Sequence, residues 1–262
     1  MRSEPLASVD GRITPTAEAV IPLADDGLYR GDGAFEVIRL YGGRPFALAE
    51  HLERLARSAA AIELAYDGEA LHRELDALLA RHGDEDAIVR VLVTRGGRRI
   101  AVTEPLPAYG ESTTVASVTY RTTVVLDGVK SLSYAANMHA TRIARARGAD
   151  EALFVSPEGT VLEPPTSSIF WATPEGVLRT PSLDNPILDS ITRRHIMRAV
   201  EVEEGTFHID DLRGASEAFL ASTTREVHPI AAVDGRPLAW PGPRTLEARA
   251  ALARAIEADI DG

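Results

Sequence analysis

The pattern of apolar and polar positions in the first hundred residues alternates between strand-like and helical segments. Residues 34–48, AFEVIRLYGGRPFAL, contain two apolar-rich runs joined at Gly42–Gly43, which is typical of a β-hairpin. The next stretch, 51–64, has apolar residues at helical spacing and predicts a helix. A second helix is predicted over 69–83, with Gly83 at its C-terminal end, and a buried strand is predicted over 87–97.

The second half of the chain is richer in strand patterns. The predicted elements are a β-rich run over 113–126, a helix over 133–148 that ends at Gly148, hairpins that turn at 157–159 and 174–176, and an amphipathic helix over 245–260. The residues around 105–112 are rich in proline, glycine and serine, as linkers are. The sequence therefore predicts a mixed α+β fold with an N-terminal domain over 1–104, a linker over 105–112 and a C-terminal domain over 113–262.

Composition and charge narrow the class of protein. A net charge of −11 in 262 residues argues against partners such as nucleic acid or an anionic membrane surface. The absence of cysteine excludes disulfides, thiolate metal sites and cysteine nucleophiles, and no metal site is predicted. The N-terminus lacks the apolar core of a signal peptide, and no apolar run reaches the roughly 18 residues that a membrane span needs. A cytoplasmic protein is expected.

Almost all of the basic residues are arginine rather than lysine. Lys130 is the only lysine among 28 lysines and arginines, so the other 27 are arginine. Such a bias often reflects genome composition, and a surviving lysine can be a surface residue without a role. Arginine, however, replaces lysine as a cation but cannot form an imine, because its guanidinium stays protonated. Lys130 is therefore a candidate Schiff-base residue, and the usual partner of such a lysine is pyridoxal phosphate.

The residues around Lys130 resemble a known family. The segment KSLSYAANM is similar to the K-(S/T)-L-N-Y pattern of the class IV, fold-type IV, pyridoxal-phosphate-dependent aminotransferases, and the similarity extends from about Leu23 to Pro229. The resemblance implies a smaller N-terminal α/β domain and a larger C-terminal β-barrel-like domain. It also implies that Lys130 carries the cofactor as a Schiff base and moves the substrate proton, with Tyr134 near the cofactor's phenolic oxygen.

A second motif, LEPPTSSIF at 162–170, is similar to the family's E-G-T-S-S-N-I-F. By this resemblance Glu163 faces the pyridine nitrogen and favours the protonated ring, which withdraws electrons from the substrate. Ser167 and Ser168 would also contact the cofactor. Two prolines replace the family's glycine and its neighbour, and Ser168 replaces the usual asparagine, so the loop departs from the pattern.

Three further motifs look like a phosphate site. HLERL resembles the family's H-x-x-R-L, ILDSITRR resembles L-P-G-I-T-R, and ASTTREVHPI resembles the S-S-T-T-x-E-V-x-P-I of D-amino-acid aminotransferases. An arginine and the N–H groups at a helix start are both suited to phosphate. The phosphate residues implied by the resemblance are Arg54, Ile191, Thr192, Thr223 and Thr224, and Leu188, at the start of the second of these motifs, is also expected to contact the cofactor.

The stretch RGDGAFEV resembles the family's strand that lines the substrate pocket. Strand alternation would place Phe35 and Val37 on one face and Glu36 on the other. Arg30 lies where most members have an aromatic residue and is a candidate for the substrate carboxylate. The histidine of the D-amino-acid enzymes' R-x-H motif is missing from TRGGRRIAV, so Arg98 or Arg90 is the alternative.

The resemblance implies an enzyme that moves an amino group between an amino acid, expected to be a D-amino acid, and a 2-oxo acid, with (R)-amines as further donors. Two alternatives stay open. RGDGAFE and KSLSYAANM also look like aminodeoxychorismate lyases, although Val37 replaces the threonine common there. A branched-chain L-amino-acid aminotransferase is the other, although that group tends to have F-E-G in place of F-E-V. A homodimer is expected for all three. A non-catalytic protein is the reading from another class, and a preparation without pyridoxal absorbance would favour it.

Overall fold

The computed structural model describes residues 4–261, so the first three residues and the last residue of the two predicted domains lie outside it. The described chain divides into two compact units. The first contains residues 4–107, 129–134 and 259–261, and the second contains 108–128 and 135–258. The Lys130 segment thus belongs to the first unit, whereas the sequence analysis grouped it with the C-terminal domain.

The described part of the first unit is a six-stranded antiparallel sheet with helices packed on it. The strand order is β2-β1-β6-β5-β3-β4. Its elements are β1 (Leu6–Val9), β2 (Arg12–Pro15), α1 (Asp26–Arg30), β3 (Gly33–Tyr41), β4 (Arg44–Pro45), α2 (Leu48–Ala61), α3 (Gly68–His82), β5 (Ala87–Thr94) and β6 (Arg99–Glu104). Helices α2 and α3 share one apolar core with the sheet, to which Leu55, Leu75 and Leu78 contribute fully buried side chains. This core fixes α2 against β3, which positions several predicted site residues.

The second unit contains an eight-stranded mixed sheet within the described residues, curled into a half-barrel. The strand order is β11-β10-β9-β12-β13-β7-β8, with β14 paired to β13. Its elements are β7 (Thr113–Thr119), α4 (Ala135–Ala146), β8 (Glu151–Val155), β9 (Ser168–Ala172), β10 (Leu178–Pro181), α5 (Ile191–Ala199), β11 (Glu203–Gly205), α6 (Ile209–Arg213), β12 (Glu217–Ser222), β13 (Glu226–Val233), β14 (Arg236–Pro237) and α7 (Pro243–Asp261). Buried Trp171, Leu153 and Leu220 lie in its core.

Most of the predicted elements are confirmed. The hairpin turns at Gly42–Gly43, Gly83 caps α3 with its N–H on the carbonyl of Leu79, and the helices predicted over 133–148 and 245–260 correspond to α4 and α7. The prediction of a β-rich run to residue 126 is wrong beyond Thr119. Strand β7 loses its partner there, since its last pair is Thr119 with Val155, and a 3-10 turn follows with exposed Val124 and Val125.

Among residues 4–261, no helix is both long and apolar enough to cross a membrane.

Candidate active site

Lys130 is held beside β3 by backbone hydrogen bonds. The Lys130 carbonyl accepts the Phe35 N–H at 3.0 Å, and its own N–H is donated to Ser58 Oγ at 3.1 Å. One residue further on, Ser131 forms a bridge with Ala34. Gly33 makes this close approach possible, because an added Cβ would lie 2.4 Å from a backbone oxygen of β5 and 2.6 Å from a Leu132 methyl group. Residues 130–132 therefore pair with the first half of β3 and continue the sheet on that side.

The Lys130 ammonium lies over an aromatic surface. Its Nζ is 4.5 Å from the centre of the Phe35 ring and 6.0 Å from that of Tyr134, and the two rings meet edge to face at 5.2 Å. Cation–π attraction of this kind holds an amine in a defined place. The structure thus brings Lys130, Tyr134 and Phe35 together, as the sequence motifs predict.

A buried charged cluster lies beneath β3. Glu36 and His51 are almost inaccessible, and Arg54 is 5% exposed. Arg54 donates from Nε and Nη2 to the two Glu36 carboxylate oxygens, both at 2.7 Å, and His51 Nδ1 lies 2.7 Å from Glu36 Oε2. The sequence analysis assigned Arg54 to a phosphate and gave Glu36 no partner. The structure shows that Glu36 fixes the orientation of the Arg54 guanidinium.

The protonation states of this cluster follow from its contacts. Burial alone would raise the pKa of Glu36, but the hydrogen bonds and charge of Arg54, with a contribution from His51, outweigh it and lower the pKa to about 2. Burial lowers the pKa of His51, against the attraction of Glu36. An ionised carboxylate only accepts hydrogen bonds, so His51 Nδ1 is the donor to Glu36, and the lowered pKa of His51 favours its neutral form. Glu36 thus compensates the charge of Arg54.

Glu163 is positioned by two backbone contacts within the second unit. Its carbonyl accepts the Phe154 N–H at 3.1 Å, which continues the predicted hairpin, and its carboxylate Oε1 accepts the Leu188 N–H at 2.9 Å. The Leu188 N–H thus holds Glu163, and the contact of Leu188 with the cofactor stays a prediction. The carboxylate is only partly buried.

The loop after Glu163 carries two unsatisfied hydroxyl groups. Ser167 Oγ and Ser168 Oγ are both buried, and the two residues are 6% and 3% exposed. Neither oxygen has a hydrogen-bond partner among the described residues. Leaving buried polar atoms unpaired costs free energy, so such atoms in a native protein call for a missing partner. Both were predicted to contact pyridoxal phosphate, a group with several hydrogen-bonding oxygens. The residues present fit that group.

Helix α5 begins where the phosphate motif predicts it. Ser190 is its N-cap, and the Ser190 hydroxyl accepts the Arg193 N–H at 3.3 Å. This serine stands where the family motif has glycine, and it compensates by capping the helix. The N–H groups of Ile191 and Thr192 lie in the first turn, where a helix has no acceptor of its own, so they are suited to an anion.

Thr223 and Thr224 lie in the tight turn between β12 and β13, whose last pair is Ser222 with Glu226. The turn is closed by the Arg225 N–H, which is donated to Ser222 Oγ at 3.3 Å. Thr224 Oγ1 lies 2.8 Å from the hydroxyl of Tyr109, a residue of the predicted linker. The hydroxyl of Thr224 therefore already has one partner.

The three candidate arginines for the substrate carboxylate are all engaged in ion pairs. Arg30 is highly exposed and pairs with Asp26, and Arg98 pairs with Asp10. Arg90 lies directly across from Val37 in the β3–β5 register, so it shares a sheet face with Val37 and Phe35.

Glu104 engages Arg90 through two hydrogen bonds, from Nε at 2.6 Å and from Nη2 at 3.0 Å. Of the three arginines, only Arg90 is shown by strand register to lie on the predicted pocket face.

Together, the fold and these motifs define the class of protein. Residues 33–233 match the family model of the class IV aminotransferases, so the chain belongs to that family. Members depend on pyridoxal phosphate, and the chain is accordingly a pyridoxal-phosphate-dependent aminotransferase of fold type IV.

The relatives differ in their named substrates. The chain is 34% identical over 253 residues to a D-alanine aminotransferase of Listeria innocua, covering 87% of each. It is 32% identical over 254 residues to a putative branched-chain-amino-acid aminotransferase of Methanocaldococcus jannaschii, covering 87% of this chain and 88% of that one. Among solved structures it resembles the fold IV transaminase CpuTA1 of Curtobacterium pusillum, with a TM-score of 0.86, 29% identity, and coverage of 95% and 99%.

Sequence reasoning missed the roles of three site neighbours, His51, Ser58 and Tyr109. A signal for the first two was present. His51, Arg54 and Ser58 follow one another in α2 at spacings of three and four residues, within its otherwise apolar buried face. Polar residues in a buried face indicate a buried hydrogen-bond cluster. Tyr109 had no such signal, because its partner lies 115 residues away.

Proposed function

We propose that the protein transfers the amino group of a D-amino acid to a 2-oxo acid. The observation that carries this proposal is the 34% identity to a D-alanine aminotransferase over 87% of both chains. The threonine turn and the following E-V-x-P-I residues, which resemble the D-amino-acid enzymes, agree with it. (R)-amines are proposed as further donors.

In this proposal Lys130 is the catalytic residue. Pyridoxal phosphate supplies a carbonyl that condenses with amines and a ring that withdraws electrons from the substrate Cα. Lys130 Nζ would hold the cofactor until the substrate amine takes its place, and the freed amine would then carry the proton between the substrate Cα and the cofactor. Its position over Phe35, with its backbone tied to β3 and Ser58, supports a fixed site for that transfer. Glu163 would hold a proton on the pyridine nitrogen, and Tyr134 would orient the phenolic oxygen.

The phosphate is proposed to be held by the N–H groups of Ile191 and Thr192 and by the hydroxyl groups of Thr223 and Thr224, together with Arg54. Support comes from the start of α5 and from the fixed guanidinium of Arg54. Because Glu36 offsets the charge of Arg54, oriented hydrogen bonds would contribute more to phosphate binding there than net charge does.

For the substrate, Phe35 and Val37 are proposed to line the pocket, and Arg90 is the best supported of the three carboxylate candidates. It shares the face of the sheet on which both side chains lie. Binding of a substrate carboxylate would then compete with Glu104 for the guanidinium. We further propose that the protein is a homodimer, which the mass from light scattering during size-exclusion chromatography measures directly.

A branched-chain L-amino acid is the second candidate substrate. The 32% identity to a putative branched-chain enzyme favours it, and so do the apolar side chains of Phe35 and Val37. The relatives are named for D-alanine and for branched-chain amino acids, so the substrate has to be determined by direct comparison.

The test is a panel of amino donors followed by the loss of cofactor absorbance in single half-reactions. It contains D-alanine, D-glutamate, L-leucine, (R)-1-phenylethylamine and aminodeoxychorismate. Reaction with D-alanine faster than with L-leucine is expected, and the reverse order would replace the proposal with the second candidate. Release of pyruvate from aminodeoxychorismate, with no half-reaction on any of the other donors, would identify a lyase. Lys130→Ala should lose both the absorbance band of the Schiff base and the transamination activity. Wild-type turnover in that variant would refute the catalytic assignment.

A further inference from the structure

Tyr109 forms part of a fixed network around the threonine turn. Its hydroxyl lies 2.8 Å from Thr224 Oγ1. The Arg225 guanidinium lies 4.8 Å from the centre of the Tyr109 ring, and the His228 ring lies 5.8 Å from it at a tilt. The ring therefore contacts two side chains that belong to the same hairpin as Thr224.

Arg225 is itself fixed by a buried carboxylate. Its Nη2 donates to Glu151 Oε2 at 2.8 Å, and the two side chains are 13% and 5% exposed. Thr141 Oγ1 donates to the other oxygen of Glu151 at 2.7 Å. A continuous series of contacts thus leads from α4 through β8 and Arg225 to Tyr109, and the phenol hydroxyl is held at a defined point beside the turn.

We infer that Tyr109 is a positioning residue that sets the Thr224 hydroxyl as a donor toward the cofactor phosphate. A threonine hydroxyl has one proton and two acceptor lone pairs. When the Tyr109 O–H donates to Thr224 Oγ1, the Thr224 proton is left for an anion. A donor–acceptor series of this kind also strengthens the outer hydrogen bond by polarisation.

The inference rests on the proposed contact between Thr224 and the phosphate. It adds that a residue of the predicted linker controls the direction of that contact. Without the Tyr109 hydroxyl, the Thr224 side chain can rotate among its staggered rotamers, and its proton can turn to water or to a backbone carbonyl. The cost should then appear only when the ligand carries a phosphate.

The experiment compares the affinity of the apoenzyme for pyridoxal phosphate and for pyridoxal, which lacks the phosphate, by absorbance titration. Tyr109→Phe keeps the ring and its stacking and removes only the hydroxyl. We expect it to raise the Kd for pyridoxal phosphate by about fivefold, with a change of less than about twofold for pyridoxal. Tyr120→Phe is the matched control, because its ring stacks on Phe154 and no hydrogen bond of its hydroxyl is found among the described residues.

Thr224→Val separates the inference from the function that it rests on. We expect it to weaken pyridoxal phosphate binding by about tenfold or more, and the double variant with Tyr109→Phe to be no weaker than Thr224→Val alone, since Tyr109 acts through Thr224. Unchanged phosphate selectivity in Thr224→Val would refute the phosphate contact itself. A normal Tyr109→Phe, equal losses for both ligands, or an additive double variant would refute the positioning role alone.

Discussion

Replacing Glu36 by glutamine would test the buried charged cluster most directly. The substitution keeps the size of the side chain but removes the charge and one acceptor oxygen. In the wild type Arg54 donates to two carboxylate oxygens at 2.7 Å, and in the variant one of its donors would face an amide NH₂ group. Arg54 would remain a buried cation that has lost the counter-charge supplied by Glu36.

The expected loss of stability follows from the pKa of Glu36. A shift from 4.5 to about 2 corresponds to about 3 kcal/mol of interaction favouring the ionised form in the folded protein. Breaking buried ion pairs by removing one partner costs about 3–5 kcal/mol in other proteins. We therefore expect Glu36→Gln to lower the free energy of unfolding by about 3–4 kcal/mol at pH 7.

The sign of the pH dependence is fixed by the direction of the shift. The folded-state pKa lies below the unfolded value, so the stabilisation is fully present above pH 4.5. It is lost as the pH falls from 4.5 through about 2. At pH 3.5 only about 2 kcal/mol of the contribution remains. The difference between wild type and variant should therefore shrink by more than about 1 kcal/mol between pH 7 and pH 3.5.

The assay is urea unfolding followed by circular dichroism, at one protein and one pyridoxal phosphate concentration. Glu104→Gln is the matched control. Glu104 also engages an arginine through two hydrogen bonds, but both side chains are about one-third exposed, so its loss should cost no more than about 1 kcal/mol. A Glu36→Gln loss as small as that of the control, or a difference that stays constant with pH, would refute the reasoning from burial.

Glu163→Gln removes the charge proposed to face the pyridine nitrogen, and kcat in steady-state assays should fall by about 10²-fold while the visible cofactor absorbance is kept. Ser190→Ala removes the N-cap of α5 and should cost about 1 kcal/mol in urea unfolding. Gly33→Ala places a Cβ 2.4 Å from a backbone oxygen of β5, so overpacking should cost about 1–3 kcal/mol and lower the thermal midpoint. A value equal to wild type would contradict the corresponding contact.

The elements that the sequence predicts well are those set by local patterns. The turn at Gly42–Gly43, the end of α3 at Gly83 and the start of α5 after Ser190 depend on neighbouring residues in the chain. The Schiff-base role of Lys130 was inferred from composition, a single lysine among arginines, and it stays a prediction. Where a pattern continued without a partner strand, as beyond Thr119, the prediction failed.

The sequence could not assign partners across the fold. Glu36 and Arg54 are 18 residues apart, and they meet only because the apolar face of α2 packs on β3. Two of the three candidate arginines illustrate the same limit. Their charge suggested a substrate carboxylate, but an acidic residue distant in the chain engages Arg90, and another engages Arg98. Such pairing depends on strand register and helix packing, which composition does not encode.

The structure also gives the arginine bias a physical meaning. Arg54, Arg90 and Arg99 each use two nitrogens of the guanidinium against one carboxylate, a geometry that a lysine ammonium cannot reproduce. Lys130 is in the opposite situation: its ammonium lies over the Phe35 ring. Lysine would weaken the two-nitrogen pairs, and arginine at position 130 would remove the amine. Lys130→Arg should accordingly retain the fold and the charge but lose the absorbance band of the Schiff base between the protein and the cofactor. A Lys130→Arg variant that kept this Schiff-base band would show that the cofactor does not depend on the amine of Lys130.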